Sequence, residues 1–175
     1  GKIIHLGPQW NQTANFTSGS DGKGTAGGIN DPASVTFTFS GTPTNGRTIG
    51  IESPAGTRIT GTIDTSAGAS SYNSSTNVGT IGLNGAGTTE AVAQRFFDFV
   101  REAIDEDNVN SLHVFQDDNV VTIFADGGVE SNLLNITDGN TGTAQSEFIN
   151  NVTISPIASA SAGVKFTGGQ NPNVS

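Results

Sequence analysis

The chain has 175 residues, of which 33% are hydrophobic and 13% are charged, and small polar residues are abundant (24 Gly, 22 Thr, 17 Ser and 17 Asn). Its net charge of −9, from 16 acidic and 7 basic residues, argues against binding to nucleic acid, because affinity for phosphates depends on Lys and Arg. The absence of cysteine excludes disulfides and thiolate metal sites. No stretch approaches the roughly 18 consecutive apolar residues of a membrane-spanning helix, so we expect neither nucleic acid nor a membrane as a partner.

Residues 1–32 are predicted to form an extended N-terminal arm. A short apolar strand, Lys2 to Leu6, is followed by Gly7-Pro8, and a second strand is predicted from Gln9 to Thr17. The segment from Ser18 to Asp31 is dense in glycine, which is typical of a flexible linker. An arm with so few core anchors makes sense if it docks on a neighbouring subunit. The assembly contacts predicted in the arm are Ile3, Ile4, Leu6, Trp10 and Phe16.

A β-rich domain is predicted over residues 33–169. Its first strand, at residues 34–40, alternates small polar residues with Val or Phe, the period-two pattern of a half-buried strand. Asn45-Gly46 follows, and this pair favours a hairpin turn because both residues tolerate positive φ. Further strands at residues 48–51 and 58–63 then predict a three-stranded meander.

The middle of the chain contains a predicted loop and a predicted helix. Residues 66–87 are mostly polar, and we expect a long surface loop that binds something or is ordered only in an assembly. An amphipathic helix is predicted from about residue 89 to 106, capped by Thr88 or Thr89. Its apolar residues recur at helical spacing. They are Val92, Phe96, Phe99, Val100 and Ala103, with Phe97 and Ile104 widening the apolar face.

The second half of the domain is predicted to be β structure as well. Leu112–Gln116 and Val120–Ala125 form a predicted hairpin around the turn Asp117-Asp118-Asn119. The predicted fold is therefore mainly β (α+β), with β-sandwich-like antiparallel sheets and one packed amphipathic helix. Later predicted elements are short strands at residues 133–136, 152–154 and 164–166, a turn at 138–142 and a tail at 170–175.

Motifs that would indicate catalysis or metal binding are weak. His5 and His113 lack the paired spacing of a zinc site, and His113 is best explained as a residue on the polar face of a strand. The run from Asp138 to Gly142 begins like a calcium loop but has Gly where the fifth-position oxygen ligand belongs. Asp117-Asp118 fits a turn, and no Gly-x-Ser-x-Gly motif occurs. We expect a non-enzymatic protein with no catalytic residues, cofactor or metal.

The order of motifs in the domain resembles that of a known module. The stretches TFTFSGTPTNGRTIGI and VVTIFADGGVESNLLNIT flank the apolar helix, and a Val-Lys-Phe-Thr-Gly-Gly run closes the domain. This arrangement, from Ala33 to Gly169, resembles a Gly/Thr-rich β-structural module of bacteriophage virion proteins, found in tail, fibre and capsid-decorating subunits. The chain departs from that module at Phe96-Phe97-Asp98-Phe99, where small residues are usual, and in the segment 66–87.

The resemblance implies a virion structural protein, most simply a capsid decoration or tail-associated subunit. Such a protein is assembled in the host cytoplasm and contacts copies of itself and other virion subunits, so a homo-oligomer is expected. The alternative is a secreted cell-surface adhesin or extracellular filament subunit, which an encoded upstream signal peptide would favour. Under that alternative six Asn-x-Ser/Thr sequons are candidate glycosylation sites, at Asn11, Asn15, Asn73, Asn135, Asn151 and Asn173. A third interpretation is a carbohydrate-active enzyme, which would require an activity that is lost when one specific Asp or Glu is mutated.

Overall fold

The computed structural model of the chain describes residues 32–107, 111–126, 136–138, 142–143, 149–155, 157–159, 163–164 and 166–169. The predicted arm before Pro32, with its five contact residues, and the predicted tail at 170–175 lie outside these ranges. The helix, α1, is Thr89–Asp107. The strands are β1 (Ala33–Phe39), β2 (Thr48–Glu52), β3 (Arg58–Asp64), β4 (Ser71–Asn73), β5 (Val78–Gly82), β6 (Leu112–Asp117), β7 (Val120–Ala125), β8 (Ile136–Asp138), β9 (Gly142–Thr143), β10 (Val152–Ser155), β11 (Ile157–Ser159) and β12 (Gly163–Val164).

The strands form two main sheets. The first has four strands in the order β10-β1-β7-β6, and every neighbouring pair is antiparallel. The second has six strands in the order β4-β5-β3-β2-β8-β9 and is mixed, because β3 and β5 run parallel. Strands β11 and β12 pair with each other in a small hairpin. Within the described residues the fold is therefore mainly β with a single helix, which confirms the predicted class.

The predicted meander of the first three strands is wrong. Strand β1 pairs with β7 and β10 in the first sheet, whereas β2 and β3 pair with each other in the second. Asn45-Gly46 does form a turn, with Gly46 at a φ of 79°. The turn is held by β3: the Gly46 N–H donates to the Ile63 carbonyl (2.8 Å), and Asn45 Oδ1 accepts from the Thr65 N–H (2.9 Å). A turn signal marks where the chain reverses, but the next strand here enters a different sheet.

The prediction of a long loop at residues 66–87 is also wrong. This segment contains β4 and β5, which form an antiparallel pair at one side of the second sheet. Residues 65–77 connect β3 to its parallel neighbour β5, in keeping with the long connections that parallel strands need. The segment is also tied to the helix, because the Ser70 hydroxyl donates to the Arg95 carbonyl (2.7 Å).

Two predicted hairpins are confirmed. Strands β2 and β3 are joined by Pro54-Ala55-Gly56, with Gly56 at a φ of 85°. Strands β6 and β7 are joined by Asp118-Asn119, with Asp118 at a φ of 52°. Asn119 also fixes the end of β1, since its backbone carbonyl accepts from the Phe39 N–H (2.9 Å) and its side-chain amide donates to the Phe39 carbonyl (2.8 Å). The second hairpin is thus locked to the central strand of its sheet.

The helix begins and is oriented as its sequence predicts. The Thr88 hydroxyl accepts from the Ala91 N–H (3.1 Å), so Thr88 is the N-cap residue. The helix ends at Asp107, within one residue of the predicted end. The residues it buries recur at helical spacing, and Phe97 and Ile104 are partly buried beside them. The buried positions are Val92, Ala93, Phe96, Phe99, Val100 and Ala103.

Aromatic rings link the helix to both sheets. Phe96 lies 4.7 Å from Phe37 of β1 and 6.5 Å from Phe99 between ring centroids, and Phe99 lies 6.1 Å from Tyr72 of β4. Phe39 adds a further contact to Phe96 at 5.5 Å. Burial of one such ring contributes about 1.5–3 kcal/mol, so this row of rings is a principal source of cohesion between the two sheets.

Candidate functional site

The four-stranded sheet has one buried face and one face on which no helix of the described residues packs. On β1 the buried residues Val35, Phe37 and Phe39 alternate with residues that point the other way, and β7 and β10 show the same alternation. We call the opposite side of this sheet the outer face. It consists of Ser34, Thr36, Thr38, His113, Phe115, Asp117, Val120, Thr122, Phe124, Thr153 and Ser155.

The outer face is uncharged over three of its four strands. Strands β10, β1 and β7 contribute Ser, Thr, Val and Phe to it, in a chain whose net charge is −9. One row of register partners runs across all four strands, from Ser155 through Thr36 and Thr122 to Phe115. The hydroxyl oxygens of Thr36 and Thr122 lie 3.5 Å apart within that row. A broad surface of this kind suits contact with another macromolecule, since interface cores are depleted of charge.

Phe115 is the large apolar residue that is exposed on the outer face. Phe115 is 60% exposed, whereas Phe37, on the buried face of the same sheet, is fully buried. It packs against Phe124 of β7 with ring centroids 5.6 Å apart and an interplanar angle of 78°, an edge-to-face arrangement. Phe124 thereby holds the Phe115 ring in place on the surface. Exposed aromatic residues of this kind are enriched in protein interfaces.

Charged groups on the outer face are found on β6 and at its rim. His113 lies on the outward side of β6, as predicted, and its Nε2 is 2.9 Å from Oδ2 of Asp126. Asp117 lies two residues beyond Phe115 on the same side. Exposed pairs such as His113–Asp126 contribute little to stability. Along β6, the imidazole of His113 and the carboxylate of Asp117 therefore lie on either side of the exposed Phe115 ring.

A cavity of about 360 Å³ lies beside the start of β10. Asn150 and Asn151 at this place also hold the loop that follows β1: Asn150 Oδ1 accepts from the Thr44 N–H (2.8 Å), and the Asn151 amide donates to the Thr42 carbonyl (2.8 Å). Both amides therefore have structural roles. The described lining has no ionisable side chain and so supplies no general acid or base. It consists of Ser40, Ile149, Asn150, Asn151, Val152 and Thr153.

The acidic motif Asp117-Asp118 lies at the end of β6 and in the turn that follows it. Asp118 lies in the β6–β7 turn at a φ of 52°, as the predicted turn requires. Asp138 ends β8 and Gly142 begins β9, its antiparallel partner, while residues 139–141 lie outside the described part. In the described ranges no group of three or more His, Asp or Glu residues is arranged to hold a metal ion. Over the same ranges no helix is long and apolar enough to cross a membrane.

The outer face is the surface that sequence reasoning did not identify. The predicted contact residues were those of the arm, Ile3 to Phe16, which lie outside the described residues. The signal for the outer face is the half of each alternating strand that does not face the core, and it becomes a continuous surface only when the strand order β10-β1-β7-β6 is known. Comparison of the chain with protein-family models, curated proteins and solved structures finds no match.

Proposed function

We propose that the protein is a structural subunit of a virion, either a capsid decoration subunit or a tail-associated subunit, that acts through protein–protein assembly. The observation that carries the proposal is the outer face, a broad surface that consists mostly of Ser, Thr, Val and Phe on a strongly acidic chain. Surfaces that bind other proteins need area and low charge at their centre rather than a deep pocket. The order of motifs, which resembles that of phage virion modules, supports the same function.

The interior suits a subunit that must be rigid before it assembles. The helix is held between the two sheets by Phe96 and Phe99, and the outer face is backed by the buried residues of β1 and β7. A preorganised surface binds more tightly than a flexible one, because less conformational entropy is lost on association. A partner would therefore meet a surface whose shape is set by the fold.

Electron microscopy of labelled particles tests this function. Antibodies raised against the purified chain are applied to phage-like particles isolated from the source culture and, in parallel, to the host cell envelope. Regularly spaced label on capsids or tails is the expected result. Particles that carry none of the protein by both labelling and mass spectrometry would refute the assignment.

A second candidate function is a secreted adhesin or extracellular filament subunit. It is favoured by Asn73, which begins an Asn-x-Ser sequon and is exposed at the end of β4, where a glycan has room. Label on the cell surface, together with glycan mass at Asn73, would favour this function. An encoded signal peptide upstream of Gly1 would favour it as well.

The arm carries a separate part of the proposal. Its apolar residues Ile3, Ile4 and Leu6 are proposed to add a strand to a neighbouring subunit, since an extended segment can pair with an exposed sheet edge. Light scattering of the full chain with all three replaced by Ser should give a lower average mass than the wild type. Val174→Ser, near the other end of the chain, is the matched control and should leave the mass unchanged. Equal masses for all three proteins would refute a contact made by the arm.

A further inference from the structure

The edge strands of the two main sheets differ in length and in protection. Strands β4, β9 and β10 have three, two and four residues, whereas β6 has six. Proteins usually protect long edges with Lys, Pro or a bulge, because an open edge pairs with other strands. β6 has the sequence Leu-His-Val-Phe-Gln-Asp and keeps an unbroken register with β7 over all six residues. It is the least protected edge of these sheets in the described part of the chain.

The backbone of β6 presents a regular set of groups at that edge. The Asp126 N–H donates to the Ser111 carbonyl (2.8 Å), which makes Ser111 and Asp126 a hydrogen-bonded pair next to the Leu112–Ala125 register pair. Because such pairs alternate along an antiparallel ladder, His113, Phe115 and Asp117 also bond to β7. The N–H and C=O groups of Leu112, Val114 and Gln116 therefore point away from β7, toward the open edge.

The side chains of β6 are complementary to the same strand turned through 180°. His113 and Asp117 lie two residues on either side of Phe115, and all three are exposed on the outer face. A two-fold axis through Phe115 places His113 opposite Asp117 of the second copy, and Asp117 opposite its His113. The same axis places the two Phe115 rings directly opposite each other. An isologous contact of this kind is self-complementary and closed.

We propose that β6 pairs antiparallel with β6 of a second copy of this chain, across a two-fold axis at Phe115. The two four-stranded sheets then form one continuous eight-stranded sheet. Val114 and Gln116 of the opposite copies exchange backbone hydrogen bonds, and the Phe115 rings cover each other between two His–Asp pairs. This inference rests on the proposed assembly function and names one of its contacts: the partner is a second copy, and the surface is the β6 edge.

Cysteine cross-linking tests the register directly, since the chain has no cysteine of its own. Opposite residues of a non-hydrogen-bonded antiparallel pair have Cα atoms about 4.5 Å apart, within the range of about 4.4–6.8 Å that a disulfide spans. Phe115→Cys should therefore form a disulfide dimer under mild oxidation. An equimolar mixture of H113C and D117C should give at least tenfold more dimer than either variant alone, and this mixture retains Phe115.

The matched control is V78C, because Val78 is the other large exposed apolar residue of the described chain, 44% exposed on β5 of the second sheet. The proposal would be overturned if F115C formed no more disulfide dimer than V78C and if H113C and D117C formed none with each other. The H113C–F115C heterodimer, separated by mass from the F115C homodimer, should be scarce. If it forms in larger amount than the H113C–D117C heterodimer, the proposal is overturned too, because the axis would then lie at Val114.

Sedimentation equilibrium of the full chain, with no cysteine introduced, measures the dimer dissociation constant as a second test. Phe115→Glu should raise the dimer dissociation constant at least tenfold, whereas Val78→Glu should leave it unchanged. Equal association of wild type, F115E and V78E would refute the contact. The two proposals can fail separately. Regular antibody label on particles without a β6 cross-link would support the assembly function and reject the β6 contact. A β6 dimer of a protein that is absent from every particle would support the contact and reject the virion function.

Discussion

The ring of Phe99 lies against Gly61 at a point where any side chain would collide with it. A Cβ on Gly61 would be 2.8 Å from the Cε1 and Cζ atoms of Phe99 and 2.9 Å from Cδ1 of Ile81. Gly79, the register partner of Gly61 on β5, meets the same ring, and its Cβ would be 2.8 Å from Cε2 of Phe99. Adjacent glycines on two parallel strands thus form the site where the helix packs on the second sheet.

Gly61→Ala should destabilise the fold by about 1–3 kcal/mol, the usual cost of overpacking a core. The Phe99 ring and Ile81 must both move to admit the methyl group. Gly79→Ala should cost more than G61A, because its Cβ would also be 2.2 Å from the Ser71 backbone oxygen, which cannot move without disturbing β4. The measurement is the urea concentration at the midpoint of unfolding, with unfolding monitored by circular dichroism.

Gly68→Ala is the control for both variants, since a Cβ there has nothing within 4 Å. It should unfold within about 0.5 kcal/mol of the wild type, as surface substitutions usually do. If G61A and G68A share one unfolding midpoint, the packing of Phe99 on the glycines does not limit stability.

These glycines also explain why sequence reasoning took residues 66–87 for a loop. Strand β5 reads Val-Gly-Thr-Ile-Gly, which has no clean alternation and two residues of low strand propensity. Its glycines are needed for contacts with Phe99 and with the Ala69 carbonyl, 2.1 Å from a Cβ on Gly82. Both are contacts between residues distant in the sequence, and a local pattern does not reveal them. Strand β1 has regular alternation and was predicted correctly, as were strands at the places of β7 and β10, but the pairing of β1 with these two strands was not predicted.

Phe96→Ala should be among the most destabilising substitutions in the chain. Phe96 is fully buried and contacts Phe37, Phe39 and Phe99, so its loss leaves a cavity between the helix and the first sheet. Truncation of a buried Phe typically costs about 3–5 kcal/mol. The thermal unfolding midpoint of the variant, measured by calorimetry, checks the prediction.

Phe97→Ala provides the comparison, because Phe97 is adjacent on the helix but only partly buried. Its truncation should cost clearly less than that of Phe96, while both variants lose the same number of atoms. A larger loss of stability from F97A than from F96A would contradict the assignment of the core face of the helix.

The outer face was harder to predict than the core for a related reason. Phe37 and Phe115 both lie in strands of alternating pattern, yet Phe37 is fully buried and Phe115 is 60% exposed. The pattern indicates which residues share a side of one strand. It does not indicate which side faces the core when both sides carry apolar residues, as Val114 and Phe115 do on β6. That choice depends on what lies beneath the sheet: Val114 packs against the buried core, and Gln116, on the same side of β6, donates from its amide to the Glu90 carbonyl of the helix (3.3 Å).

Thr88→Ala should reduce stability by about 1 kcal/mol. The Thr88 hydroxyl satisfies the Ala91 N–H, one of the unpaired donors in the first turn of the helix. Thr88→Ser retains an acceptor oxygen and should restore most of the loss, measured as the free energy of unfolding in urea. Thr89→Ala, one residue further along, leaves the Thr88 capping bond in place and should have a smaller effect than T88A. Equal effects of T88A and T88S would show that the hydroxyl is not the stabilising group.

Asp64 gives the chain a specific response to acid. Its Oδ1 atom accepts from the Ser66 hydroxyl (2.6 Å), the Ser66 N–H (2.8 Å) and the Ala67 N–H (3.2 Å). The hydrogen bond from the Ser66 side chain is the main cause of a lowered pKa for Asp64. A folded pKa below the unfolded value means that the ionised carboxylate stabilises the fold above the unfolded pKa of about 3.9, and that this stabilisation is lost as the pH falls through the folded pKa.

Ser66→Ala should therefore move the pKa of Asp64 upward, toward its ordinary value, because the strongest donor to the carboxylate is removed. The measurement is an NMR titration of the Asp64 side-chain carboxyl carbon in the folded protein between about pH 2 and 6, a range that brackets the ordinary Asp value. Ser74→Ala, in the exposed turn between β4 and β5, is the matched control and should leave the titration of Asp64 unchanged. Asp64→Asn should remove this contribution to the acid dependence of unfolding. An Asp64 carboxyl that titrates identically in the wild type and in S66A would mean that the turn is not held by this bond in solution.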